Sequence, residues 1–168
     1  MRILTVRQPY AWQIIHGDKT IENRTRNIAG TYRGPVAIHA ALKPDMDALR
    51  NLPTRTPPGM PRIHHYGAIL GVVDLAGVHH DKDCDCSCSA WALPGNFHLH
   101  LQNPQALDSP IEYTGALGLR TITDESIIER LGCARYPGDR STTPETRSSH
   151  TAGAGTSGLD RVRSPFML

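Results

Sequence analysis

The stretch GDKTIENR, residues 17–24, lies at a predicted junction between a helix and a strand. The preceding run, residues 7–16, predicts one short helix, because proline suits a first helical position. Gly17 suits the left-handed residue that ends such a helix. Residues 20–26 then alternate polar and less polar side chains, which is the period of a β-strand. The stretch therefore predicts a strand that starts directly after a helix.

Opposed charges gather at this junction. On the predicted strand, Glu22, Arg24 and Arg26 share one face, and Lys19 lies at the strand's mouth with a stem long enough to reach the same place. The pattern is typical of a binding or catalytic site. The alternative is an exposed ion pair of Glu22 with Lys19 or Arg24 at the strand end, which has no functional role and stabilises the fold by about 0–1 kcal/mol.

Length and composition predict one domain with a real core. The chain has 168 residues, of which 39% are apolar and 20% charged. No apolar run approaches membrane-spanning length and no signal-peptide pattern follows Met1, so we expect a cytoplasmic protein with no membrane partner.

Charge is unevenly distributed along the chain. Residues 1–62 carry ten Lys/Arg against four Asp/Glu, a net +6, whereas residues 63–133 carry three against nine, a net −6. A basic half around the charged stretch would attract a polyanion such as nucleic acid. The alternative is that the two halves interleave in the folded chain and give a mixed surface.

The chain divides into a domain, residues 1–133, and a tail, residues 134–168. Gly, Ser, Thr and Pro make up 17 of the 33 residues from 136 to 168, which predicts disorder because little apolar surface can be buried. Four prolines within residues 53–61 predict a loop.

Short β-like segments dominate the domain. The predicted strands are residues 3–6, 20–26, 35–40, 67–78, 97–101 and 116–122. Short helices are predicted at residues 48–52 and at 124–131, where Thr123 is the expected cap. Gly71 and Gly77 suit bends in a curling sheet. The fold class is therefore α+β: a small mixed β-barrel with two or three short helices.

The pattern G-x-K-x-x-E-x-R, occupied by Gly17, Lys19, Glu22 and Arg24, resembles the signature of the ASCH domain, a family of PUA-like β-barrels. Flanking segments extend the resemblance over roughly residues 1–123. These segments are LTVRQPYA at 4–11, YRGPVAIHA at 32–40, residues 91–101 and residues 115–119.

The resemblance implies an RNA-facing cleft between barrel and helix. One bacterial branch of the family is an amidohydrolase that deacylates N4-acetylcytidine, using the motif lysine, a threonine three positions later and a distant glutamate. Lys19 matches that lysine, but Glu22 stands at the threonine position. Asp74, Glu112 and Glu125 all remain open as the distant carboxylate.

Within such a cleft, Arg24 could grip a phosphate or carboxylate with two hydrogen bonds, and Lys19 would act as a point charge. Glu22 could accept from the exocyclic amine of a base. As a catalytic pair, Lys19 and Glu22 conflict, because Glu22 would hold Lys19 charged. The further predicted nucleic-acid-binding residues are Arg26, Arg7, Gln8, Tyr10, Trp12, Tyr32 and His39, with the aromatic ones as stacking platforms.

The sequence thus predicts a monomer that binds RNA or a modified nucleotide or nucleoside and needs no cofactor. One alternative is a hydrolase: an amidohydrolase acting on N4-acylated cytidine, or a ribonuclease. A second is an interaction adaptor in a nucleic-acid complex that uses the tail.

Three cysteines, Cys84, Cys86 and Cys88, form the other chemical cluster. Thiolates are ligands that Zn²⁺ selects, but their C-x-C-x-C spacing departs from the usual C-x₂₋₄-C pairs. We therefore expect no metal, and an acidic loop with reduced thiols. His98 and His100 are spaced i, i+2, which can chelate a metal, but an exposed barrel face also explains them.

Overall fold

The protein is described by a computed structural model that covers residues 1–50, 65–84 and 87–132, with the backbone of residues 133–135. The predicted loop at 53–61, Cys86 and the predicted disordered tail at 136–168 lie outside the described residues.

Six strands and three helices form the described part of the chain. The strands are β1 Arg2–Val6, β2 Ile21–Arg24, β3 Gly34–Ala40, β4 Ala68–His80, β5 Phe97–Glu112 and β6 Leu119–Thr121. The helices are α1 Tyr10–His16, α2 Met46–Arg50 and α3 Glu125–Arg135, and a 3₁₀ turn, Asp81–Asp83, follows β4. None of these helices is long and apolar enough to cross a lipid bilayer.

The strands form one mixed sheet in the order β2-β5-β4-β3-β1-β6. Strands β1 and β3 pair in parallel, and the other neighbours are antiparallel. The β4–β5 ladder shifts register three times. One of the shifts lies next to Gly71 and another next to Gly77, and such bulges increase the twist of the sheet. The sheet curls into a half-barrel, which confirms the predicted α+β PUA-like class.

The charge halves of the chain interleave within this sheet. β2, from the basic half, pairs with β5 of the acidic half, and β3 pairs with β4 in the same way. This arrangement favours the mixed-surface alternative over a separate basic face.

The two faces of the sheet bury separate apolar clusters. One cluster joins the sheet to α1 and includes Leu4, Ile15 and Leu75. The other includes Ile3 and packs against Leu131 of α3. Neighbouring residues of β1 therefore point to opposite faces, as the period of a strand requires.

Local predictions near the first helix need correction. Helix α1 begins at Tyr10, not at residue 7, and the Gln8 side chain accepts the Trp12 N–H at 3.0 Å. Gly17 has a φ of −109°, so it is not left-handed. The N–H groups of Gly17 and Lys19 both donate to the Gln13 carbonyl, and this lets the chain leave α1 directly toward β2.

Two later elements also differ from prediction. β5 extends to Glu112 instead of ending at residue 101, although Pro104 and Pro110 argue against a strand there. Helix α3 is capped by Asp124, not Thr123, since Asp124 Oδ1 accepts the backbone N–H groups of Ser126 and Ile127.

Candidate functional site

An open cleft of about 1420 Å³ lies beside β2 and the end of β1. Its walls come from the start of α1, the segment before β5 and the segment after β5. The lining residues are Thr5, Val6, Arg7, Tyr10, Lys19, Glu22, Asn23, Arg24, His39, Ala41, Leu42, Asp45, Tyr66, Gly67, Ala90, Trp91, Leu93, Glu112, Tyr113, Thr114, Gly115, Ala116, Leu117 and Gly118.

A carboxylate between two cations forms one wall of the cleft. Lys19 Nζ lies 3.6 Å from Glu22 Oε2, and Arg24 Nη2 lies 3.1 Å from Glu22 Oε1. The side chains of Lys19 and Glu22 are only 4% and 11% exposed, and that of Arg24 is 26% exposed. Because Glu22 and Arg24 are two residues apart on β2, they share a face, as the sequence predicted.

Two aromatic rings flank the Lys19 ammonium. Nζ lies 5.1 Å from the ring centroid of Tyr10 and 5.1 Å from that of Trp91. Both distances are within the range of cation–π attraction. The ammonium therefore marks a place where cationic, anionic and aromatic groups meet at the surface of the cleft.

Contacts with the described residues use only part of the Arg24 guanidinium. Its Nη2 donates to the Thr5 carbonyl at 2.8 Å and faces Glu22. Its Nε is buried and has no hydrogen-bond partner among the described residues. A buried N–H without a partner is unfavourable, so the position of this side chain has a cost in the unliganded chain.

Burial lowers the pKa of Lys19 below its ordinary value. Glu22 opposes this effect by its charge and a hydrogen bond, and the Arg24 charge adds to the lowering. The sequence-based argument that Glu22 holds Lys19 charged therefore has the right sign, but the loss of hydration is the larger effect.

His39 presents a neutral imidazole to the cleft. Its Nε2 lies 2.9 Å from the Tyr113 carbonyl, which can only accept, so Nε2 carries the proton and Nδ1 is left as an acceptor. Burial lowers the pKa of His39, and hydrogen bonds to the Tyr113 and Gly67 carbonyls partly oppose the lowering. Gly115 permits this packing, because a Cβ there would lie 2.5 Å from His39 Cε1.

The buried histidine should make stability depend on pH. The pKa of His39 in the folded chain lies below the 6.5 of a free imidazole, so the unfolded chain takes up this proton first as pH falls. Stability is therefore lost as pH falls below about 6.5. His39→Gln should show a smaller drop in unfolding free energy between about pH 7.5 and about pH 5.5, measured by urea denaturation.

His65→Gln, which removes an exposed imidazole, serves as the control for His39→Gln. An equal drop in wild type and His39→Gln would contradict the assignment of a buried neutral imidazole.

Asn23 fastens the Trp91 segment to β2. Its Nδ2 donates to the Trp91 carbonyl at 2.8 Å, and its Oδ1 accepts the Leu93 N–H at 3.0 Å. A contact of 3.2 Å between the Thr20 and Ser89 hydroxyls adds to this attachment. These contacts hold the Trp91 ring beside Lys19.

The family of this chain follows from its match to a family model. Residues 4–113 match the family model of the ASCH domain. The chain belongs to the ASCH domain family. A comparison with curated proteins gives no match.

The ASCH match begins within β1 and ends just after β5, and so it includes the Lys19–Glu22–Arg24 group. The rest of the wall, residues 114–118, follows the matched region directly. The ASCH domain therefore supplies the charged side of the cleft together with most of its other lining.

The ASCH cleft brings together most of the predicted binding residues. The cleft-lining members of the predicted set are Lys19, Glu22, Arg24, Arg7, Tyr10 and His39. Four other predicted residues, Gln8, Trp12, Tyr32 and Arg26, do not line it.

Each of these four has a structural reason for its position. Gln8 is fully buried and bridges the Trp12 N–H and the His65 carbonyl. Trp12 is buried on α1. Tyr32 donates to the Pro35 carbonyl, and Arg26 is exposed beyond the end of β2.

The structure also separates the three carboxylates considered as the distant acid. Glu112 lines the cleft at the end of β5. Asp74 accepts a hydrogen bond from Asn103 at 3.1 Å, and Glu125 begins α3; neither lines the cleft.

Trp91, Asn23 and the segment at 113–118 line the cleft but were not predicted as binding residues. Trp91 and residues 113–118 come near the motif only in the folded chain, and the TGALG run at 114–118 was the available signal, since small residues permit close approach. Asn23 lies within the motif itself, between Glu22 and Arg24.

Proposed function

We propose that this ASCH domain binds single-stranded RNA or a modified nucleotide, with one base held in the cleft. The observation that carries the proposal is the Lys19–Glu22–Arg24 group with the Tyr10 and Trp91 rings beside it. Nucleobases combine a flat apolar face with polar edges, and this wall offers partners for both. Stacking on an aromatic ring is worth about 1–3 kcal/mol per base.

Each charged group has a distinct task in the proposal. Arg24 lines the cleft with a side chain that is 26% exposed, and its guanidinium offers N–H donors to a base carbonyl or phosphate oxygen. Glu22 accepts from an exocyclic amine, as acidic side chains do from cytosine. Lys19 pairs with the Glu22 carboxylate and adds positive charge beside the ligand.

The overall charge of the cleft limits the number of phosphates in contact. The cationic and acidic lining residues balance, and they are Arg7, Lys19 and Arg24 against Glu22, Asp45 and Glu112. A surface built for a long polyanion would carry an excess of cations. We therefore expect recognition of a base or nucleoside with about one phosphate contact.

Arg24→Gln tests this proposal against Arg26→Gln. Arg24 lines the cleft and Arg26 does not, although they lie two residues apart. A lost hydrogen bond from a charged group corresponds to about 1.5–3 kcal/mol, so Arg24→Gln should weaken binding by roughly 10- to 100-fold. Fluorescence anisotropy with labelled ten-nucleotide RNAs and N4-acetylcytidine competitors would measure this.

The salt dependence gives a second readout. Loss of one phosphate contact should reduce the slope of log affinity against log salt by about 0.7. Arg26→Gln should leave affinity within about twofold, since an exposed charge beyond the cleft acts only at long range. Equal losses in both variants would contradict the proposed cleft.

An amidohydrolase is the second candidate. It is supported by the lowered pKa of Lys19, which favours a neutral amine, and by Glu112 in the cleft. In this case wild type turns over N4-acylated cytidines, as followed by chromatography, and Lys19→Met does not. Binding without turnover would leave the ASCH domain as a recognition module.

Two further alternatives to a recognition module are a ribonuclease and an interaction adaptor. Cleavage of labelled RNA in the same incubations would indicate the ribonuclease. The adaptor alternative depends on the tail, of which residues 136–168 lie outside the described residues. It predicts that deletion of residues 136–168 abolishes capture of a nucleic-acid complex.

A further inference from the structure

Two histidines and two cysteines converge at the end of the sheet where β4 ends and β5 begins. They are His79 near the end of β4, Cys84 and Cys88 in the following segment, and His98 at the start of β5. One ligand atom from each lies within 4.8 Å of all the others. His98 is fully buried.

Four distances in this His/Cys group are close to the edges of a zinc tetrahedron. Bonds of about 2.3 Å to sulfur and about 2.05 Å to nitrogen give edges of about 3.8 Å for S–S, about 3.4 Å for N–N and about 3.6 Å for N–S. The observed Cys84–Cys88 Sγ distance is 3.6 Å, and the distance from His79 Nε2 to His98 Nδ1 is 3.4 Å.

Two nitrogen-to-sulfur distances agree as well, since His98 Nδ1 lies 3.5 Å from Cys84 Sγ and 3.4 Å from Cys88 Sγ. His79 Nε2 lies 2.9 Å from Cys84 Sγ, about 0.7 Å shorter than the tetrahedral edge, so this pair must separate when an ion binds. The sulfur atoms are too far apart for a disulfide bond of about 2.0 Å. A small movement of His79 would therefore give the group the size that a bound ion requires.

Hydrogen bonds orient both imidazoles toward the centre of the group. His98 Nε2 lies 2.9 Å from the Leu93 carbonyl, so Nε2 carries the proton and Nδ1 presents a lone pair to the cysteines. His79 Nδ1 has a partner in His100 Nε2 at 3.0 Å. Such outer partners are typical of metal-ligating histidines, whose second nitrogen is held by a neighbour.

We propose that His79, Cys84, Cys88 and His98 bind one Zn²⁺ in a closed, structural site. Two thiolates balance the charge of the ion, and four protein ligands leave no position for a reactive water. None of the four residues lines the ASCH cleft. The proposal revises the sequence-based expectation that the chain holds no metal, and it does not depend on the proposed function.

The bound ion would organise the segment between β4 and β5. That segment contributes Trp91 and Leu93 to the cleft, and the Leu93 carbonyl is the partner of the ligand His98. The zinc site would thus fix the base of the segment, and Asn23 would fix its tip. The segment would then lose less conformational freedom when a ligand binds, and this favours binding.

Metal content of the full chain tests the proposal. Protein expressed with zinc in the medium and purified without chelator should contain about one zinc per chain by mass spectrometry of the metal. Replacement with Co²⁺ should give the visible bands of tetrahedral cobalt and a thiolate charge-transfer band. Folded wild type that holds less than about a tenth of a zinc and takes up no Co²⁺ would overturn the proposal.

Serine variants test which cysteines act as ligands. Cys84→Ser and Cys88→Ser should each lose most of the zinc, and Cys133→Ser, a substitution in α3, should keep it. Loss from Cys86→Ser with retention in Cys84→Ser would overturn the assignment. For the histidines, His98→Gln should lose zinc and exposed His65→Gln should not.

Discussion

Glu22→Ala is expected to destabilise the domain by about 3 kcal/mol, because it leaves Lys19 and Arg24 without their shared counter-ion. The Glu22 side chain is 11% exposed and lies 3.1 Å from Arg24 Nη2. A buried ion whose partner is removed keeps its desolvation penalty and loses the attraction that offset it. A domain of this size has only about 5–15 kcal/mol to lose.

Asp47→Ala is the matched control for Glu22→Ala. Asp47 lies 3.1 Å from Arg50, the same separation, but the two side chains are 88% and 70% exposed. An exposed pair contributes about 0–1 kcal/mol. Urea denaturation measures the free energy of unfolding of both variants. If Glu22→Ala lost as little of it as Asp47→Ala, our account of the charged group would be contradicted.

Gly71→Ala is expected to destabilise the sheet by about 2 kcal/mol, as overpacked sites do. A Cβ at Gly71 would lie 2.4 Å from the Gln105 carbonyl oxygen and 2.9 Å from Ile15 Cδ1. The first contact is with backbone of β5, so relief requires the strand or helix α1 to shift.

Gly77→Ala provides the comparison on the same strand. A Cβ there would find its nearest atom, His100 Cβ, at 3.8 Å, which is ordinary van der Waals contact. Since alanine restricts the unfolded chain, Gly77→Ala should be neutral or stabilising by about 0.5 kcal/mol. Thermal unfolding that shows equal midpoints for the two variants would contradict the close packing of β4 on β5.

Much of the ASCH fold could be predicted from the sequence because its strands carry a clear apolar period. β3 is apolar almost throughout and is buried almost throughout. The second half of β5 could not be predicted, since its two prolines and exposed polar residues lack that period and its pairing with β4 breaks register. The wrong conformation predicted for Gly17 has a similar origin, because the path of the chain after α1 depends on where β2 pairs.

The site was predictable where it is local in sequence. Lys19, Glu22 and Arg24 fall within one strand and its approach, so strand periodicity places them together. Trp91 and Asn23 meet only through tertiary structure. The proposed zinc site was missed for a similar reason, because the C-x-C-x-C pattern as a whole departs from the usual zinc spacing. The outer pair, Cys84 and Cys88, has C-x₃-C spacing, which is within the zinc range.

The central claim, that the ASCH cleft holds a base, is tested most directly by mapping a bound RNA on the isotope-labelled chain by NMR. A ten-nucleotide single-stranded RNA is titrated, and amide shifts are recorded for every assigned residue. We predict the largest changes in residues 19–24, 90–93 and 113–118, with little change in α3. Shifts confined to α3 or to the edge strand β6, with residues 19–24 unmoved, would contradict the account.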